Sequence, residues 1–283
     1  MSFHTYKLKG GIIMKKRYAL VVMLILITTI AIGLVYYKET LQVSFYPLAK
    51  HIEKMRIFKY VQGYKTFETE NFIIRYKDED EEYAKLTGKI GEKYYENICN
   101  IYGYYPPTKN SIIIYNDEKS LLKNLRFNKG NTPIGVYYSG VIHILSPEIW
   151  INSSDNLEQI YEVNGPVVHE FTHLLVDEIT RGNYPMWLTE GLALYTEYIT
   201  TGFEWESYNI TKEDINIEDL DNNFHAIEQT SAYRKSFEIV KGMSDTWGFE
   251  KLRDVLQILG EGTSINKTAK AVLKINLYDL NKL

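Results

Sequence analysis

Hydrophobic and polar positions change their period several times along this chain, and each change marks an element. Residues 18–37 read YALVVMLILITTIAIGLVYY without a single charge. A helical run of that length reaches across the hydrocarbon core of a bilayer. Beyond it Leu48, Ile52, Met55, Phe58 and Val61 recur at helical spacing among Lys50, Glu53, Lys54 and Lys59. This predicts a short amphipathic stalk, packed on the following domain or lying on the bilayer surface. From Phe67 the pattern changes. Residues 71–76 (NFIIRY) and 111–115 (SIIIY) read as strands, and Tyr83, Leu86, Ile90, Tyr94, Ile98 and Ile101 form a helical stripe between them. Residues 135–138 and 141–145 flank Ser139-Gly140, a short turn of the kind that closes a hairpin. The second half is helical almost throughout, with Phe237, Val240 and Trp247, then Phe249, Leu252, Leu256 and Leu259, as core stripes.

That order predicts an α+β protein: an N-terminal transmembrane helix, a small mixed sheet lobe, then a mainly helical lobe with a cleft between the two. The expected boundaries are 1–37 for the N-terminal segment and anchor, 38–64 for the stalk and 65–283 for the domain. Lys15, Lys16 and Arg17 stand directly before the apolar run, which places the N-terminus in the cytoplasm and the body of the chain outside the cell. Ala31-Ile32-Gly33 carries small residues where a signal peptidase cuts, so a cleaved signal peptide is the competing reading. The apolar run continues past that point and favours an uncleaved, single-pass anchor in the cell membrane. Met14, followed at once by the cationic cluster, has the form of an export signal's first residue and is the expected start of translation.

Composition narrows the classes. With 45% hydrophobic and 24% charged residues the chain is globular, and a net charge of −4 with no basic stripe in its body argues against a nucleic-acid partner. The single cysteine, Cys99, excludes an intramolecular disulfide and sits on the helical stripe as a buried hydrophobe.

Gly165-Pro166 opens a helix that continues His169-Glu170-Phe171-Thr172-His173. Residues four apart stand on one helix face, so both imidazoles reach one ion while Glu170 projects beside them. Zinc takes imidazole nitrogen, and a neighbouring carboxylate can accept a proton from water. About two chains in a hundred of this composition would show such a pentapeptide by chance, so a third ligand decides the reading. In Pro185-Met-Trp-Leu-Thr-Glu190-Gly-Leu-Ala-Leu-Tyr195 the helical neighbours of Glu190 are Met186, Trp187, Ala193 and Leu194. A carboxylate on an apolar face needs a partner. A metal supplies one; a salt bridge to an Arg or Lys is the alternative. Gly182 and Asn183 break the chain so that the second helix folds back and brings Glu190 level with the histidines.

With His169 to His173 and Trp187 to Ala193 in place, the sequence resembles the gluzincin zinc metallopeptidases, and more narrowly the bacterial peptidase MA-like domains. The resemblance implies a thermolysin-like catalytic core and one zinc ion per chain on His169, His173 and Glu190. It also implies peptide-bond hydrolysis by metal-activated water, with Glu170 as general base. The substrate would be a peptide or protein, cut by an endopeptidase or an aminopeptidase. An exported zinc-binding sensor or scaffold without catalytic activity is the alternative. Where the thermolysin pattern has an aspartate one turn after the glutamate ligand, this chain has Leu194; Asp177 and Glu197 are the candidates to orient a zinc histidine. Tyr233, in Ser231-Ala-Tyr-Arg-Lys-Ser236, resembles the family's A-Y-x-x-S segment and is the candidate oxyanion donor, ahead of His225 and Tyr195. His143 alternates with Ile142 and Ile144 and reads as an ordinary strand residue. The expected hairpin would lend its edge to an extended substrate, with Tyr137 or Tyr138 shaping a subsite.

Overall fold

The computed structural model describes residues 3–127, 132–152, 156–204 and 215–283, with side chains described from Leu20 onward. Met14, the Lys15–Arg17 cluster and the first two residues of the expected membrane span therefore have side chains outside the described residues. Helix α1 (Phe3–Tyr36) runs unbroken through that span, and α2 (Lys38–Tyr60) follows after a single residue. Among the described residues no single helix is long and apolar enough to cross a membrane; Leu20–Tyr36 and α2 pass together by length and composition, as a pair bent by 78°. The expected single span corresponds to the first arm of this bent pair.

The sheet contains β1 (Lys65–Glu68), β2 (Phe72–Tyr76), β3 (Asn110–Tyr115), β4 (Gly135–Tyr138) and β5 (Val141–Leu145) in the order β1-β2-β3-β5-β4. Helix α3 (Glu81–Tyr102) crosses between β2 and β3, which are parallel, as are β3 and β5; the two outer pairs are antiparallel. The sheet is therefore mixed, as expected, and β4 is an edge. Ser139 and Gly140 both take positive φ, +50° and +78°, the backbone that a two-residue hairpin turn requires.

Every residue of β3 is buried, and its side chains alternate between two cores. Ile112 and Ile114 join Phe72, Ile74, Ile142 and Ile144 under α3 and the helical half. Ile113 and Tyr115 turn to the other face, where Leu121 and Leu125 of α4 (Glu118–Leu125) meet Ile57 and Val61. The stalk helix α2 is thus a layer of the domain, and Leu48, Ile52 and Met55 face away from it. Its inner face is carried instead by Val43, Tyr46, Lys50, Ile57 and, just past its end, Val61.

Beyond the sheet, α5 (Pro147–Trp150) and α6 (Leu157–Asn164) lead to α7 (Val167–Thr180). Arg181 and Gly182 both adopt left-handed φ, +54° and +73°, so the chain reverses and α8 (Met186–Thr201) returns along α7. After α9 (Ile217–Asn223), helices α10 (Gln229–Trp247) and α11 (Phe249–Gly260) pack on α8 and α7 respectively. The β4 edge and the start of α7 form one wall of a cleft, and α8 and α10 the other.

Candidate metal and catalytic site

The helical hairpin α7–α8 brings together the three residues proposed as ligands. One atom from each of His169, His173 and Glu190 lies within 4.8 Å of the others. His169 Nε2 and His173 Nε2 stand 3.3 and 3.5 Å from the same carboxylate oxygen, Glu190 Oε2. Four-coordinate zinc with bonds of about 2.0–2.1 Å sets its ligand atoms about 3.4 Å apart, so these separations fit one ion.

Both Nδ1 atoms are engaged elsewhere. His169 Nδ1 lies 3.1 Å from Glu197 Oε2, and because a carboxylate only accepts, the ring donates there. His173 Nδ1 is 2.6 Å from Thr189 Oγ1. Each ring is thereby oriented with Nε2 toward Glu190. Of the two residues proposed for this role, Glu197 has it and Asp177 does not. Glu197 lies seven residues after Glu190, two turns along the same face, which periodicity could have singled out in place of the Leu194 position. Thr189, next to Glu190 in sequence, had no signal of its own.

Charge points the same way. Burial pulls His169 down, but the carboxylates of Glu197, Glu190 and Glu170 outweigh it and raise the ring well above its ordinary pKa. Glu190 is opposed by burial yet held well below the usual carboxylate range by His173 and His169. Three carboxylates surround two imidazoles, and among the described residues no Lys or Arg forms an ion pair with any of them. Such a cluster calls for a cation, and the N,N,O donor set suits zinc.

Glu170 is buried beside these ligands, and burial raises its pKa. Its Oε2 accepts a 2.6 Å hydrogen bond from the backbone N–H of Tyr137 on β4. Its Oε1 faces Gly135, where an added Cβ would lie 2.9 Å from Oε1 and 2.3 Å from Pro166 Cβ. Glycine at 135 therefore lets the edge strand pass against the start of α7. The cleft at this point has a volume of about 380 Å³ and is lined by Gly135, Pro166, His169, Glu170, Leu194, Glu197, Gln229 and Tyr233.

Tyr233, from α10, reaches the same cleft, and its hydroxyl is raised by burial first and by the Glu190 carboxylate second. The two lesser candidates lie elsewhere. Tyr195 shares a hydrogen bond with Ser244 and stacks on Phe249, and His225 is exposed against Phe224. His143 is buried, its Nδ1 2.8 Å from the Tyr115 hydroxyl, and burial lowers it to about 3, so it is a neutral strand residue as expected. Cys99 is buried and pushed up to about 12 by burial. Tyr137 departs from its expected place at a subsite. Its hydroxyl turns away from the cleft and donates to Asp177 Oδ2 at 2.6 Å, because its side chain falls on the face of the sheet that packs on α7, while its outward N–H is taken by Glu170.

A sequence model of the Peptidase MA superfamily matches residues 98–283, from the last turns of α3 to the C-terminus. No curated protein sequence matches the chain.

Proposed function

The chain belongs to the Peptidase MA superfamily, and from that premise we propose that it is a membrane-anchored zinc metallopeptidase. His169, His173 and Glu190 hold one zinc ion per chain, Glu170 is the general base and Tyr233 the oxyanion donor. The observation that carries this reading is the convergence of two imidazole nitrogens on one oxygen of Glu190 at 3.3 and 3.5 Å, with both Nδ1 atoms committed elsewhere.

Zinc in this position supplies Lewis acidity, polarising a scissile carbonyl and lowering the pKa of water. The residues around it do the rest. Glu170, raised by burial toward the working range of a base, accepts the proton of the attacking water and returns it to the leaving amine. The Tyr137 N–H fixes one of its oxygens and leaves the other toward the cleft. Tyr233, whose hydroxyl stays protonated at neutral pH, donates a hydrogen bond to the oxyanion. Gly135, on the outer edge of β4, offers the backbone along which an extended peptide can pair. A zinc sensor has no use for a buried carboxylate at position 170 beside the ligands, and this sets catalysis ahead of it.

Anchoring rests on the apolar side chains of α1, which stay exposed from Leu20 to Val35; the cationic cluster before them supports an orientation with the peptidase outside the cell. The test is metal analysis of the detergent-purified full chain, paired with cleavage of a mixed peptide substrate. One zinc per chain and chelator-sensitive cleavage are expected. A zinc content near zero that added zinc does not restore would overturn the reading.

A further inference from the structure

The two faces of α2 have opposite characters. The inner face docks on the domain through polar contacts: Gln42 Nε2 donates to Gly182 O at 2.8 Å, Lys50 pairs with Asp177 and Glu178 at 2.5 and 2.7 Å, and Tyr46 donates to Asp177. Tyr46 lies so close to Gly182 that a Cβ there would stand 2.5 Å from its ring. Further along, Arg56 donates to Asn124 O at 2.5 Å, and Ile57 is buried. The outer face is apolar and bare, with Phe45, Leu48, Ile52 and Met55 exposed at 64%, 60%, 55% and 53%. At roughly 100° per residue the two faces are centred about 160° apart, so the stripe points directly away from the protein.

We infer that α2 is an interfacial helix whose Phe45, Leu48, Ile52 and Met55 stripe lies in the headgroup–acyl boundary of the bilayer that α1 enters. The inference rests on the proposed anchoring of α1 and adds to it a second, sideways attachment that fixes how the domain sits. Three observations select a bilayer as the occupant. The stripe is continuous in sequence with an exposed apolar helix, and the 78° bend between them turns α2 nearly parallel to a surface that α1 crosses. The bend itself carries Tyr36, Tyr37 and Lys38, exposed residues of the kind that gather at the membrane–water interface. Exposed Lys38 and Lys59 bracket the stripe, and α2 has an excess of basic over acidic residues, which suits anionic headgroups. Because the opposite face grips Asp177 on α7, the bilayer, α2 and the zinc-site helix form one stack, and the cleft stands at a set height above the lipid. The substrates this favours are segments that emerge from the same membrane.

The full chain, reconstituted in vesicles of neutral and anionic lipid, provides the test. Cys99 is fully buried with a thiol raised to about 12, so nitroxide labels can be directed to Leu48→Cys and Ile52→Cys on the stripe and to Ala49→Cys and His51→Cys on its flanks. Ile27→Cys in α1 serves as the reporter of the span. The expected result is a severalfold higher ratio of oxygen to aqueous nickel-chelate accessibility at 48 and 52 than at 49 and 51, with oxygen-only accessibility at 27. Nickel-accessible labels at 48 and 52 beside a lipid-buried 27 would overturn the inference and leave the anchor standing. A nickel-accessible 27 would remove the anchor and the inference together. Labels at 48 and 52 shielded from both reagents would mean that protein covers the stripe, and spin–spin broadening would identify that cover as a second copy; either finding overturns the bilayer assignment.

Discussion

Helix α7 carries a buried acidic centre toward each end, and the two are balanced in opposite ways. Toward the C-terminal end, Asp177 is fully buried and accepts from Lys50 Nζ at 2.5 Å, from Tyr137 at 2.6 Å and from Tyr46. Its charge and lone pairs are met by donors of the chain itself. Two turns earlier, Glu190, Glu197 and Glu170 face His169 and His173, and among the described residues no Lys or Arg pairs with them. A buried carboxylate with a complete set of internal donors fastens elements together. A group in which two imidazole nitrogens converge on one carboxylate oxygen at 3.3 and 3.5 Å, with no Lys or Arg pairing among the described residues, has the donor set of a metal site. Substitutions at each centre should therefore register in different measurements.

The largest effect is expected at the first centre. Glu170→Gln keeps the hydrogen-bonding shape of the side chain but cannot take up a proton, so peptide hydrolysis should fall by about 10²–10⁴-fold. Zinc content and unfolding temperature should stay close to those of the parent. Turnover within a factor of a few of the parent, measured on the same peptide at equal zinc content, would remove Glu170 from its role.

At the second centre the response should be one of stability. Lys50→Met leaves Asp177 in place, buried, with hydroxyl donors only. Removing one partner of a buried pair costs about 3–5 kcal/mol, and the side chains here are 13% and 0% exposed. Denaturant unfolding should show a loss of that order while zinc stoichiometry holds. A loss of zinc without a loss of stability would mean that the two ends of α7 are not separable.

An intermediate case sharpens the contrast. Glu197 touches no substrate on this reading; it orients His169 through Nδ1. Glu197→Gln can still accept from the ring but carries no charge, and outer-shell changes of this kind typically weaken metal binding about 10–100-fold. Competition with a chelator of known affinity measures it directly. An unchanged affinity would return Glu197 to a purely packing role.

The first centre could be read from the sequence because its logic is local. His169 and His173 sit four apart, and Glu190 stands out as an acid on an apolar helix face; helical period alone aligns them once the Gly182 break is recognised. The second centre could not be read that way. Asp177 is matched by Tyr46 and Lys50, more than a hundred residues earlier, and by Tyr137 across the sheet. Only the docking of α2 makes them neighbours. The hydrophobic pattern of α2 even points away from the protein, since Leu48, Ile52 and Met55 are exposed while the inner face holds with Tyr46 and Lys50. The sheet shows the same division: the strands rich in Ile were evident, whereas β1 (KTFE), with one partly buried residue and three exposed ones, follows from its pairing with β2.

Tyr137 meets both centres, one through its backbone and the other through its side chain, and Tyr137→Phe gives the smallest and most discriminating change in activity. Its backbone N–H holds Glu170 at 2.6 Å and its hydroxyl reaches Asp177 at 2.6 Å. Phenylalanine keeps the ring, the strand and the N–H contact and removes only the hydroxyl. Asp177 retains Lys50 and Tyr46, and the Gly140 N–H loses the hydroxyl as its acceptor at 3.1 Å, so the loss should be that of two hydrogen bonds, about 2–3 kcal/mol in unfolding free energy. If β4 is held by its own pairing with β5, which extends from Gly135 to Tyr138, Glu170 keeps its partner and kcat/KM changes by less than about threefold, under 1 kcal/mol. A tenfold fall in kcat at unchanged zinc content, with the acid limb of the pH–rate profile displaced, would show instead that the Asp177 contact positions the base. The same measurement on Lys50→Met then decides the route: a matching displacement there traces it through Asp177 to α2, and an unshifted profile confines it to the strand.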